Sequence, residues 1–314
     1  MNKKIVLVGA GLVGTSFAYS AINREIADEI AIIDINQELA KGNKLDLEDA
    51  IPTINSDVEI KVGTYEDVKD ASVVVITAGR PQREGETRMD MVADNAKIMK
   101  SIALSIKEMN YEGITLIAAN PVDVMTTVYQ HVTGFDKAKV ISSSCSLDSN
   151  RLKIELSTEF SARPKEIEAY VIGEHGDSSV SVFSNIKISG VKIEKHKAKN
   201  ILTSETCDRC HFTMFNKAYE IINSKGSTYY GIGSVLAEIT ASIINDEKKI
   251  FAVGKYLEGE YGQEGVYAGI PIVVGANGIE SVYPLEISDS EKERFANSIS
   301  TLKKAVVVAL EAIK

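Results

Sequence analysis

The sequence is poor in cysteine, poor in histidine and short of positive charge, and each shortage narrows what the chain can be. Three cysteines, Cys145, Cys207 and Cys210, stand in 314 residues. So sparse and odd a set is no disulfide framework of a secreted domain, and it points to a reducing compartment. Of the four histidines, His131, His175, His196 and His211, no two fall at zinc-ligand spacing, so no metal site is expected. Lysine and arginine number 35 against 44 acidic residues, a net charge of −9. Phosphate backbones demand a basic face, so nucleic acid is not an expected partner. The one basic cluster, Lys192–Lys199 around His196, is short, is broken by Glu194 and reads as a solvated loop or helix start.

Long apolar runs are also scarce, and nothing approaches the ~20 residues of a membrane span. The stretch from Ile5 to Ile22, preceded by Lys3 and Lys4, imitates a secretory signal. Gly9, Gly11 and Gly14 interrupt it at a spacing with a mechanical use of its own, and a cytoplasmic chain is expected. What remains is an ordinary globular composition, 44% hydrophobic and 25% charged. The length suggests two domains at roughly 150 residues each.

In the first half, short β-rich runs alternate with helical patterns. Strands are expected at Lys4–Val8, Glu29–Asp34, Val58–Val62, Ser72–Thr77, Ile114–Ala118 and Lys139–Ser142. Helices are expected at Val13–Arg24, Gln37–Ala50, Arg88–Met109 and Val122–Val132. A run such as Val73-Val74-Val75-Ile76 is apolar on both faces, as in a strand covered on both sides. Together these predict an α/β fold, a Rossmann-type doubly wound parallel sheet over residues 1–143. A mixed α/β catalytic domain over 144–314 is expected to follow. Its helices are read at Asp148–Phe160, Thr203–Ser224 and Tyr229–Ile244, and its strands at Glu168–Ile172, Ile186–Ile193 and Val266–Gly275. A last helix opens on the capping box Ser288/Glu291 and buries Phe295, Ile299, Leu302, Val306 and Leu310.

GAGLVG lies between a predicted strand and a predicted helix. Gly9 permits the tight turn, Gly11 lets backbone approach a pyrophosphate, and Gly14 allows close helix–strand contact. Asp34 ends the next strand, where a carboxylate accepts from ribose hydroxyls and repels a 2′-phosphate, so NAD is expected rather than NADP. Leu12 and Val13 in the same turn, and Ala78, Gly79 and Asn120 at strand ends, complete the expected cofactor contacts. His175 stands apart from the other histidines. It lies in GEHGD just after a strand, and an imidazole titrating near neutrality is a natural acid and base.

These motifs, with GETRMDMVADN, AANPVD, SLDSNR and GSTYYGI, make the chain resemble the L-lactate/malate dehydrogenase family over essentially its whole length. The resemblance implies an NAD-dependent 2-hydroxy-acid dehydrogenase working at the fermentative end of glycolysis. His175 would protonate the carbonyl oxygen and Asp148 would orient His175. Arg151 would bind the substrate carboxylate and Arg88 would polarise the carbonyl. Asn120 would contact substrate and cofactor, and Thr228 would line the substrate pocket. Residues 79–87 resemble the family's mobile lid, whose closure expels water. At the lid position where malate dehydrogenases carry Arg, this chain has Gln82, which favours pyruvate and L-lactate. Arg83 beside it keeps malate, or another 2-hydroxy acid, as the alternative. The resemblance further implies a homotetramer. Two positions depart from the pattern that binds fructose 1,6-bisphosphate in many bacterial relatives. Lys153 and Glu168 stand there, and Glu168 would repel a phosphate, so activation by that sugar is not expected.

Two readings of other classes stand beside this one: an NADH-binding sensor without turnover, and a haem protein. Cys207-Asp208-Arg209-Cys210-His211 spells the c-type haem attachment pattern, but inside a predicted helix of a chain expected to stay in the cytoplasm.

Overall fold

Six short, β-branched runs line up side by side because each is apolar on both faces and can be buried only between layers of helix. They are β1 (Lys4–Val8), β2 (Glu29–Ile33), β3 (Glu59–Val62), β4 (Val73–Ile76), β5 (Ile114–Ile117) and β6 (Val140–Ser142). All pair in parallel, in the order β3-β2-β1-β4-β5-β6. The crossover helices are α1 (Leu12–Asn23), α2 (Gln37–Ile54), α3 (Arg88–Glu108) and α4 (Val122–Thr133). This is the doubly wound order, with its reversal between β1 and β4. The computed structural model describes residues 3–54, 56–80 and 88–314, without the side chains of 88–90.

The signal-like stretch is the heart of this sheet. Ile5–Leu7 are wholly buried in β1. Lys4 is buried with its Nζ 2.7 Å from Asp70, 3.2 Å from Asp67 and 3.4 Å from Glu29.

The second half holds α5 (Ser146–Phe160), β7 (Ile167–Ile172), β8 (Val180–Ile188), β9 (Val191–Lys192), α6 (Ser204–Lys225), α7 (Tyr230–Ile244), β10 (Lys249–Glu258), β11 (Glu264–Gly275), β12 (Gly278–Val282) and α8 (Asp289–Ala312). Strands β7, β8 and β9 form a small antiparallel sheet. Strands β10, β11 and β12 add themselves antiparallel to the edge at β6, giving one nine-stranded sheet. Ser288 and Glu291 form the expected capping box at α8, and Phe295, Ile299, Leu302 and Val306 are buried.

The differences from expectation have local causes. Strand β10 (KIFAVGKYLE) was not anticipated, because Gly254 and Lys255 interrupt its apolar run. β12 is short and partly exposed, which leaves little pattern to read. The strand expected at Ile186–Ile193 begins instead at Val180 and breaks at Ser189–Gly190, both at positive φ, where the chain turns into β9. Helix α2 runs past its expected end at Ala50 and carries Pro52 in its last turn.

Candidate active site

All the parallel strands end at one edge, and the functional motifs follow those ends, where ligands of open α/β sheets bind. Gly9 follows β1 at φ +106°, and a Cβ there would lie 2.6 Å from the Ala78 nitrogen. A Cβ at Gly14 would lie 2.1 Å from the Gly9 carbonyl oxygen, so both glycines are required by the protein's own contacts. Gly11 is different. It has ordinary extended backbone, and a Cβ there would meet nothing within 4 Å. None of the described residues demands glycine at 11, whereas a pyrophosphate laid on the start of α1 would. Leu12 and Val13 form the first turn of that helix, and Leu12 is exposed. Asp34 closes the cradle: its Oδ2 accepts from the Ala10 N–H at 2.7 Å and its Oδ1 from the Asn36 N–H at 2.8 Å. Each carboxylate oxygen retains further acceptor capacity for a hydroxyl. Thr77 donates to the Gly9 carbonyl, and Ala78 and Gly79 line the next strand end. This donor and acceptor set fits a dinucleotide.

The second constellation comes from the other half of the chain. β7 runs to Ile172, and Gly173 (φ +94°) turns the chain out of the strand; a Cβ there would strike the Ser298 Oγ of α8 at 2.5 Å. Gly173 and Gly269 of β11 exchange backbone hydrogen bonds of 2.8 Å in both directions. His175 is thereby held at the sheet edge. Its Nδ1 lies 2.5 Å from Asp148 Oδ2, and Asp148 Oδ1 accepts from Arg151 Nη1 at 3.3 Å. Asp148 and Arg151 lie three apart at the start of α5, so they share a face. Ser149, between them, accepts the Val171 N–H at 2.9 Å and pins α5 to β7. The Asp148 carboxylate raises His175 above the ordinary imidazole value, against the opposing effect of burial. Burial disfavours the charged form of Asp148, but His175 and Arg151 outweigh it and hold the carboxyl below its usual range. The side chains of Asp148 and Arg151 are each 8% exposed, whereas that of His175 is 27% exposed. With Nδ1 committed to a carboxylate, Nε2 is the atom able to take up or release a proton.

The other expected residues are placed with less company. Asn120, exposed, lies three residues past the end of β5 and precedes the cis bond to Pro121. Thr228 lies two residues ahead of α7, which packs on α1 where Gly233 approaches Ser16 and Phe17. Gln82 and Arg83 lie outside the described residues; Arg88 opens α3, but its side chain is not among those described. Lys153 is mostly buried, and burial lowers its pKa. Glu168 accepts from Lys187 Nζ at 2.7 Å and Tyr283 Oη at 2.9 Å. The haem-like motif sits on α6 with Cys210 buried and the His211 ring bonded to Ser181.

Two buried polar residues went unread in the sequence. Asn95 accepts from the Arg80 N–H at 2.9 Å and donates to the Arg80 and Asn120 carbonyls at 3.1 and 2.8 Å. It clasps the chain after β4 at Arg80 to the Asn120 turn. Asp123, in the first turn of α4, accepts the backbone N–H of His175 at 3.0 Å. Both lie inside the quoted motifs, but only the fold shows what they face.

The comparisons with known proteins bear on this arrangement. Residues 3–142 match the family described as lactate/malate dehydrogenase, NAD binding domain, and residues 145–312 match its alpha/beta C-terminal domain. The chain belongs to the lactate/malate dehydrogenase family. NAD is its cofactor. Among relatives of this family, the L-lactate dehydrogenase of Mycoplasma mobile is 49% identical over 312 residues, 99% of this chain and 98% of that protein. That of Mesoplasma florum is 46% identical over the same coverage. The minor L-lactate dehydrogenase of Enterococcus mundtii, 37% identical, superposes with a TM-score of 0.94 in its ligands-bound form, covering 97% of this chain and 98% of that one. Its ligands-unbound form gives 0.87 at 35% identity, with 98% of each chain covered.

Proposed function

We propose that this chain is an NAD-dependent L-lactate dehydrogenase, reducing pyruvate with NADH and oxidising L-lactate with NAD in reverse. The observation that carries the reading is the His175–Asp148 pair at 2.5 Å, with Arg151 on the other carboxylate oxygen. Ketone reduction needs a proton at the carbonyl oxygen, and an imidazole raised by a carboxylate holds that proton near neutral pH. Asp148 fixes the ring and offsets its charge. Arg151 presents a planar guanidinium to the substrate carboxylate, which places the keto carbon beside His175. Bound NADH supplies the hydride. Arg88 stabilises the developing oxyanion, Asn120 touches substrate and cofactor, Thr228 walls the pocket, and Gln82 admits a methyl where a second carboxylate would stay unpaired. Gly9, Gly11, Leu12, Val13, Gly14, Asp34, Ala78 and Gly79 hold the cofactor.

The two halves, 1–143 and 144–314, work as cofactor-binding and catalytic parts of a cytoplasmic homotetramer. Fructose 1,6-bisphosphate does not activate the enzyme, because Glu168 is bound to Lys187 and Tyr283 and Lys153 is mostly buried. The deciding assay follows NADH loss with pyruvate and, separately, oxaloacetate. A pyruvate preference of at least about 100-fold is expected from the uncompensated carboxylate. A preference for oxaloacetate would instead assign Arg83 to the pocket and malate to the enzyme.

A further inference from the structure

His175 is gripped by two carboxylates. Asp148 meets its ring, as described, and Asp123 meets its backbone: the His175 N–H donates to Asp123 Oδ2 at 3.0 Å. Asp123 is only 2% exposed, and a carboxylate is not buried so far without a compensating role. Its surroundings are built for it. The Ser142 hydroxyl, at the end of β6, donates to Oδ1 at 3.0 Å. Ser142 faces Gly254 of β10, where a Cβ would lie 2.0 Å from the Ser142 oxygen and 3.0 Å from Asp123 Oδ1. Only glycine leaves that hydroxyl room to reach the carboxylate. Asp123 also stands three residues after Asn120, so one side chain joins the Asn120 turn, the β6–β10 seam and the His175 loop.

We infer that Asp123 is a positioning residue for the reaction, fixing His175 through its backbone and lending its charge to the imidazole. This rests on the dehydrogenase reading for its kinetic consequence, though not for the contact itself. Burial pushes Asp123 up to about 6, and the bonds from His175, Ser144 and Ser142 act in the opposite direction, toward the ionised form. The charged groups that act most strongly on His175 are Asp148 and Arg151 from α5 and Asp123 from α4, and Glu174 and Asp177 flank it in its own loop. The other contacts around its loop, Ser298 of α8 and Gly269 of β11, do not titrate, and the neighbouring Glu174 is taken up by the Ser178 hydroxyl.

With only four histidines, the imidazole Cε1–H signals of each can be titrated one by one by NMR. Asp123→Asn keeps an oxygen for the His175 N–H and removes the charge. It is expected to lower the His175 pKa by about half a unit or more, leaving His131, His196 and His211 unmoved. The pH at which kcat/KM for pyruvate falls should move down by the same amount. Asp123→Ala, which loses the bond as well, should cut kcat/KM at least about tenfold even at low pH, with NADH affinity within about twofold of the parent. An unshifted His175 titration in Asp123→Asn, or wild-type turnover in Asp123→Ala, overturns the inference. Absence of pyruvate reduction in the parent enzyme would refute the dehydrogenase reading instead, and the NMR titration would still decide the role of Asp123.

Discussion

The glycines of the first turn look alike in sequence and differ in physics. Gly14→Ala would drive a methyl to 2.1 Å from a backbone oxygen, and forced overpacking of that kind costs about 1–3 kcal/mol. Gly11→Ala meets no atom of the described residues within 4 Å. It should stay within about 1 kcal/mol of the parent in urea unfolding. Its NADH Kd, read by fluorescence titration, should nevertheless rise at least about tenfold, because the methyl enters the space of the pyrophosphate. Equal losses of stability in the two variants would contradict this division. A second residue-scale expectation concerns Asp148. His175 is raised by Asp148, so its protonated form, needed for pyruvate reduction, persists above the ordinary imidazole range. Activity toward pyruvate should therefore fall as pH rises through that elevated value, and activity toward lactate should rise. Asp148→Asn removes the carboxylate, moves both inflections to lower pH and reduces kcat/KM by about 10²-fold or more. The same pair acts on stability. The His175 contribution is present below the unfolded imidazole pKa and lost as pH rises through the folded one. The Asp148 contribution is present above its unfolded pKa and lost as pH falls through the folded one.

At the scale of elements, the site depends on short polar clasps between helices and strand ends. Ser149 ties α5 to β7, Ser298 ties α8 to the Glu174 N–H at 2.8 Å, and Asn95 ties α3 to Arg80 and Asn120. Asn95→Asp is nearly isosteric, keeps the acceptor for the Arg80 N–H, and sets an anion against two carbonyl oxygens that now receive a donor. Loss of about 1–3 kcal/mol in unfolding free energy is expected, with a lower kcat for pyruvate because α3 carries Arg88. Unchanged stability and kcat would mean that the clasp is idle. The six parallel strands were readable from β-branched runs, and α8 from its capping box and stripe. β10 was not, because the glycine that breaks its pattern is required by Ser142 on another strand.

Across the whole molecule, one sheet passes from the first half of the chain into the second, through the Gly254–Ser142 pairing. The cofactor turn stands on this sheet, and β7, which leads to His175, is tied to it by the Gly173–Gly269 backbone pair. Light scattering of the purified protein is expected to give four times the monomer mass of 34.1 kDa. Addition of fructose 1,6-bisphosphate should change the pyruvate KM by less than about twofold, since Lys187 and Tyr283 hold Glu168 where an anion would have to bind. A large fall in KM would overturn that expectation.

The sequence by itself determined the parallel sheet and the dinucleotide turn, because each is written in local pattern: β-branched runs and glycines at fixed spacing; His175 it offered as an acid–base candidate. It also carried Asp148 and Arg151, by likeness to a family whose motifs it repeats. Only the tertiary structure decided what surrounds them. Asp123, Asn95 and Ser298 act on partners 52, 15 or 25, and 124 residues away along the chain. A buried polar side chain gives no periodic signal, and its meaning is set by whichever backbone group the fold brings to face it.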